Sequence, residues 1–160
     1  MSATPDPTPV RVDAPSGRVV DMSITQSDPT KRFSLEATPD AVWAVLPAVY
    51  AELHIPVTTL VASSRRIGNS SYRVRRQLGG QRMSRFLACG ERLGLEVADT
   101  DDITLHVETV VAPGDSGAAL TTLVVGSARP VGVAGHPINC ATTGRLEQRI
   151  IALVQAKLPK

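Results

Sequence analysis

The stretch that most constrains this chain is a pair of apolar runs separated by a glycine-containing break. In residues 102–111 (DITLHVETVV), Ile103, Leu105 and Val107 fall on one side, and Thr104, His106 and Glu108 on the other. A period of two marks a strand with one face in the core and one in water. Residues 112–117 (APGDSG) supply turn chemistry, and residues 118–128 (AALTTLVVGSA) return as the antiparallel partner. A long hairpin of this kind excludes an all-helical fold.

The remaining elements are placed around that hairpin. Residues 31–37 read as a strand with Phe33 and Leu35 on one face. Thr38-Pro39-Asp40 opens a helix: Thr38 suits the N-cap, Pro39 the first turn, and Asp40 the positive end of the helix dipole. Val42, Leu46, Val49 and Leu53 then recur at helical spacing, and Pro47 predicts a kink or a split in two. Residues 57–63 and 71–77 read as strands joined through Ile67-Gly68-Asn69, with Tyr72, Val74 and Arg76 facing one way and Arg73 and Arg75 the other. Residues 81–88 predict a short helix burying Met83, Phe86 and Leu87. Residues 131–142 form a connector, after which Thr143 caps a last helix with Leu146, Ile150, Leu153 and Val154 on its apolar stripe.

Hairpins without parallel crossovers imply an α+β fold: an antiparallel sheet of about four to six strands, with an N-terminal helix and a long C-terminal helix on one face. Residues 31–160 form its single domain. At 160 residues and 42% hydrophobic, the chain can bury a real core, built on aliphatics because aromatics are only 3%. No apolar run approaches the roughly 18–20 residues of a membrane helix.

Residues 1–16 (MSATPDPTPVRVDAPS) place four prolines among small and polar residues, which predicts a disordered, extended tether. Residues 17–30 read as an arm or edge strand. The start carries no secretion signal, since it lacks a cationic segment followed by about 7–15 apolar residues. Taken at face value, a native Met1 implies a cytoplasmic protein. A mature lipoprotein in which Met1 stands in place of a lipidated cysteine would instead lie in the periplasm or be anchored to the outer membrane.

Cys89 and Cys140 are the chain's two cysteines, without a CxxC or zinc-type Cys/His spacing. They form either a disulfide or two buried thiols. A bridge would tie the middle of the chain to the start of the last helix and place the protein in an oxidising compartment.

Charge is concentrated in one place. Residues 65–92 carry eight arginines (Arg65, Arg66, Arg73, Arg75, Arg76, Arg82, Arg85 and Arg92) against the single acid Glu91, within a chain whose net charge is only +2. Such a block suits an acidic protein or an anionic membrane surface. Alternatively, its arginines pair with neighbouring acids such as Glu96, Asp99, Asp101 and Asp102 as a solvated face. Nucleic acid is a poor fit, because only Tyr72 and Phe86 offer aromatic rings within the block.

The segments TPDAVWAVLPAVYAELHI, FLACG, LEVAD and CATTGRLEQRI, with the element order across residues 31–157, resemble the helix-grip pattern. Bet v 1-like ligand-binding domains and the small domains of the BamC outer-membrane lipoprotein share it, and the short blocks are similar to stretches of uncharacterised bacterial envelope proteins. The resemblance implies a curved antiparallel sheet gripping the last helix, an envelope location, and binding rather than catalysis. It transfers no catalytic residue.

Other motifs resolve to structure. Gly114-Asp115-Ser116-Gly117-Ala118 resembles a serine-protease nucleophile motif, yet no histidine sits in a matching context and the chain is too short for that fold, so a hairpin turn is expected. His54, His106 and His136 are isolated; His136 near Cys140 suggests a nucleophile pair only if the thiol is free. The acids at 96–102 lack the spacing of a calcium loop. Asn69-Ser70-Ser71 is a formal glycosylation sequon.

The expectation is therefore a non-enzymatic binding or scaffolding domain of the cell envelope, without cofactor or metal. It would contact a protein or anionic surface through Arg73, Arg75, Arg76, Arg82 and Arg85. The alternative is a carrier of a lipid-like small molecule in an apolar cavity between the sheet and the last helix.

Overall fold

The computed structural model describes residues 30–132 and 135–159, together with the antiparallel pairing of Val12–Asp13 with Val19–Val20. Apart from that pairing and Thr30, the expected tether at 1–16 and arm at 17–30 lie outside the described residues. The main sheet has seven strands: β1 (Thr30–Leu35), β2 (Thr59–Val61), β3 (Arg66–Arg75), β4 (Leu87–Ala88), β5 (Asp102–Gly114), β6 (Gly117–Arg129) and β7 (Ile138–Thr142). Helix α1 (Pro39–Glu52) follows β1, and helix α2 (Arg145–Lys157) follows β7. The chain is thus an α+β protein with a large antiparallel sheet and a C-terminal helix.

Strand order is β2-β3-β5-β6-β7-β4, and every pairing is antiparallel. The long β6 serves two neighbours along one edge. Its first half, Ala118 to Leu123, pairs with β1, and its last part, Gly126 to Ala128, pairs with β7. The β5–β6 ladder runs without interruption from Asp102↔Arg129 to Gly114↔Gly117. The expected six-residue loop is therefore only a two-residue turn, Asp115-Ser116, and the GDSG motif is a hairpin tip.

Alternation on β5 and β6 puts Ile103, Leu105, Val107, Leu120 and Val124 in the core, where α1 contributes Val42, Leu46, Val49 and Tyr50 and α2 contributes Leu146, Ile150 and Val154. Helix α1 touches α2, β5 and β6, while α2 also touches β6. Each fully buried aliphatic side chain contributes about 1.5–3 kcal/mol. Lys157 and Glu52 join the C-terminal ends of the two helices in an ion pair at 2.8 Å, and the ammonium holds the Glu52 carboxyl below its usual range.

The helix start at Thr38 is as expected: its hydroxyl accepts from the Ala41 N–H at 3.2 Å. Pro47 does not split α1. Its ring is exposed, and buried residues before it (Val42, Leu46) and after it (Val49, Tyr50) pin both halves to the same core.

Three local expectations are corrected. Ile67-Gly68-Asn69 is not a turn; it lies inside β3, and the reversal falls at residues 62–65, with Arg65 in the left-handed region. Gly68 is there because β5 passes too close for a side chain: a Cβ would strike the Val107 carbonyl, beside a register shift between Leu105 and Val107. Residues 81–88 are not a helix. Gln81–Arg82 pairs with Gln77–Leu78, Met83–Arg85 is one 3-10 turn, and Leu87–Ala88 joins the sheet. Met83, Phe86 and Leu87 are nevertheless buried; backbone pairing to β7 replaces the intrahelical bonds that so short a helix makes poorly. Finally, Gly144, in the left-handed region, takes the N-cap of α2 in place of Thr143. The Thr143 hydroxyl donates to the Arg85 carbonyl at 2.6 Å and accepts from the Arg145 N–H at 3.4 Å.

Candidate functional site

Cys89 and Cys140 form a disulfide. Cys140 lies on β7 opposite Gly126 of β6, and Cys89 follows β4, whose Ala88 pairs with Ala141. The bridge thus fastens an edge strand held by only two residue pairs. No free thiol remains for a nucleophile pair with His136.

The basic block divides sharply by partner. Arg65 pairs with Asp40 at 2.7 Å, Arg66 with Glu108 at 3.2 Å, Arg75 with Asp102 at 3.7 Å and Arg92 with Asp101 at 2.8 Å. Asp101 is buried and receives both Arg92 terminal nitrogens, whereas Arg75 and Asp102 are half exposed and their long contact adds little. Among the described residues, Arg73, Arg76, Arg82 and Arg85 have no carboxylate partner.

The five expected contact residues lie in three places. Arg73 and Arg75 alternate outward on β3 and line a groove of about 530 Å³ on the sheet face turned away from the core. Two rows cross that groove by register: Arg75, Asp102 and Arg129 on β3, β5 and β6, then Arg73, Thr104 and Ser127. The rows are about 7 Å apart along the strands, and adjacent strands about 5 Å apart. Three guanidiniums therefore surround one carboxylate and two hydroxyls.

Arg76 leaves this face. Ladder pairing of β3 with β5 ends at Arg75↔Asp102, where β5 begins, and Arg76 turns into the left-handed region at φ 68°. The expectation that it continues the Tyr72 and Val74 face is thus corrected. Arg76 and Arg82 line a second groove of about 410 Å³, with Leu95, Glu96 and Asp99. Arg82 and Arg85 line a third of about 580 Å³, with Gln81, Ser84 and Arg145. Arg129 and Arg145 are additions that the linear sequence did not flag. Arg129 directly follows the predicted end of its strand, and its register with Asp102 comes from extending the alternation by one residue.

Guanidiniums spaced in this way recognise carboxylates or phosphates through paired N–H donors. The groove holds no arrangement of nucleophile and base. His106 is 3.8 Å from Glu108 on its own strand, and Asp115-Ser116 lies at the far end of the hairpin from Asp102. The acids at 96–102 are dispersed: Asp99 accepts from the Ser84 N–H and hydroxyl at 2.9 and 2.7 Å, Asp101 holds Arg92, and Asp102 faces Arg75. Among the described residues no group of His, Cys, Asp or Glu is placed to hold a metal ion. The Asn69 amide donates to the Pro56 carbonyl at 2.8 Å and accepts from the Ser71 N–H at 3.0 Å, and its burial opposes a glycan there.

Between the sheet and α2, the place a carrier cavity would need, sit Leu105, Leu120, Leu146, Ile150 and Val154, all essentially without solvent contact. No described helix is long and apolar enough to cross a membrane. No protein-family model matches the chain, and no curated protein is significantly similar to it.

Proposed function

We propose that this chain is a non-enzymatic binding or scaffolding domain of the bacterial cell envelope, holding an acidic protein segment against the Arg73/Arg75/Arg129 groove. The observation that carries the reading is the pair of rows across β3, β5 and β6, with three guanidiniums to one carboxylate and hydroxyls of Thr104 and Ser127 between them. A concave site on a rigid sheet orients carboxylate side chains at fixed spacing, and its surplus positive charge speeds encounter with an acidic partner.

The disulfide supports an oxidising compartment, hence the periplasm or outer-membrane surface. A large antiparallel sheet with a C-terminal helix on one face supports the helix-grip reading and, with it, likeness to envelope lipoproteins. The proline-rich start would serve as the tether.

A glutamate-rich peptide titrated into isotope-labelled protein tests the site by NMR. Backbone amides of Arg73, Thr104, Ser127 and Arg129 should shift together. Shifts confined to other residues would overturn the groove assignment. If only phosphatidylglycerol vesicles perturb these amides, the partner is an anionic surface instead.

A further inference from the structure

The strand that carries Arg73 and Arg75 is paired on one side along only part of its length. β2 covers residues 66–68 of β3, and the Thr58 N–H donates to the Gly68 carbonyl at 3.0 Å. There the neighbouring chain departs: the Asn69 side chain donates to the Pro56 carbonyl and accepts from the Ser71 N–H. Beyond it, residues 72–75 pair with β5 on one side and with no described strand on the other. At the far end the Arg76 carbonyl accepts from the Met83 N–H, and Arg76 turns the chain out of the sheet. The open edge spans about 13 Å, bounded by Asn69 and Arg76.

Backbone N–H and C=O groups along such an edge are a template for a further strand. The side chains decide which strand. Directly opposite residues on neighbouring strands point to the same face, about 5 Å apart, so a chain added here sets alternate side chains over the groove beside Arg73 and Arg75. A second copy of β3 laid antiparallel about Val74 would set Arg73 against Arg75 twice, and like charges so placed repel. In the groove, Arg73, Arg75 and Arg129 face one carboxylate, Asp102, whose 3.7 Å contact with Arg75 is half exposed. Of the other acids on or beside β5, Glu108 is held by Arg66, and Asp101 is buried and bound to Arg92. The surplus is positive, so the edge suits an acidic strand and opposes its own copy.

We propose that the acidic partner binds by strand addition: an extended segment with carboxylates at every second position pairs its backbone with residues 72–75 and sets those carboxylates on Arg73 and Arg75. The uncharged residues between them lie beside Tyr72 and Val74, which are partly buried against the core. This mode rests on the reading of the sheet groove as the site of an acidic segment, and adds the form that segment takes. A helical or block-acidic segment places its carboxylates at other spacings.

Fluorescence anisotropy of short labelled peptides on the full chain tests this, with the changes made in the peptide so that the protein's fold is untouched. A peptide with Glu-Thr-Glu-Thr at its centre should bind about tenfold more tightly than one with Glu-Glu-Thr-Thr. A strand added at an edge uses every second amide of its backbone. N-methylation of both glutamates, or of both threonines, should therefore act unequally: one pair costs about tenfold or more, and the other changes affinity by less than about twofold. Equal affinity of the alternating and block peptides, or equal losses from the two methylated pairs, would overturn strand addition while leaving the groove as the binding site. Binding of neither peptide would overturn both. A chain that sediments as a dimer and is dissociated by the alternating peptide would overturn the proposal in favour of a second copy at this edge.

Discussion

The hydroxyl of Tyr50 on α1 lies 2.8 Å from that of Thr109 on β5, inside a core built mainly from aliphatic side chains. It also donates toward the Ile67 carbonyl at 3.4 Å, and Thr109 lies 3.5 Å from Thr122 on β6. One phenol thus fixes the helix over three strands, where only the matching hydroxyl and carbonyl satisfy it.

Tyr50→Phe should therefore destabilise the protein by about 1–2 kcal/mol in urea unfolding, through loss of the short buried Tyr50–Thr109 hydrogen bond. Burial also pushes the Tyr50 pKa well above its ordinary value of 10.0. The folded state keeps this proton where the unfolded chain releases it, so the stability it contributes is present below pH 10 and declines as pH rises beyond it. Unfolding curves across that alkaline range should fall more steeply for wild type than for Tyr50→Phe.

The Cys89–Cys140 bridge closes a segment of 51 residues, and chain entropy alone assigns it about 4 kcal/mol. Reduction, or Cys89→Ser with Cys140→Ser, should lower the unfolding midpoint sharply. Hydrogen exchange should then show β4 opening before the β5–β6 ladder, because only two residue pairs remain to hold it.

Gly68→Ala should cost about 2–3 kcal/mol, since the new Cβ meets backbone of β5 that cannot move without breaking the ladder. Circular dichroism melts will read this. A melt equal to wild type would mean that the bulge near Val107 relaxes freely.

These sites also mark how far the sequence could be read. The β5–β6 hairpin was legible because its alternation is long, and α1 because Thr38, Pro39 and Asp40 all signal one helix start. Gly68-Asn69 misled because a turn signal is local, whereas the reason for this glycine is the close pass of a strand some 40 positions away in sequence. Met83, Phe86 and Leu87 fit helical spacing equally well as a 3-10 turn and an edge strand; pairing to β7 and the disulfide decide between them. Arg73 and Arg75 were legible as same-face neighbours. Their union with Arg129 depends on a register across three strands, and the separation of Arg76 on a single φ angle.

The sheet groove is the centre of the functional account, and equilibrium binding of a labelled glutamate-rich peptide to wild type and to Arg73→Ser/Arg75→Ser/Arg129→Ser tests it most directly. All three side chains face the groove and none is in the core, so the variant should fold as wild type does. The account predicts about a tenfold or greater loss of affinity in the variant, with a flatter dependence on salt. Equal affinity and equal salt dependence in the two proteins would contradict it.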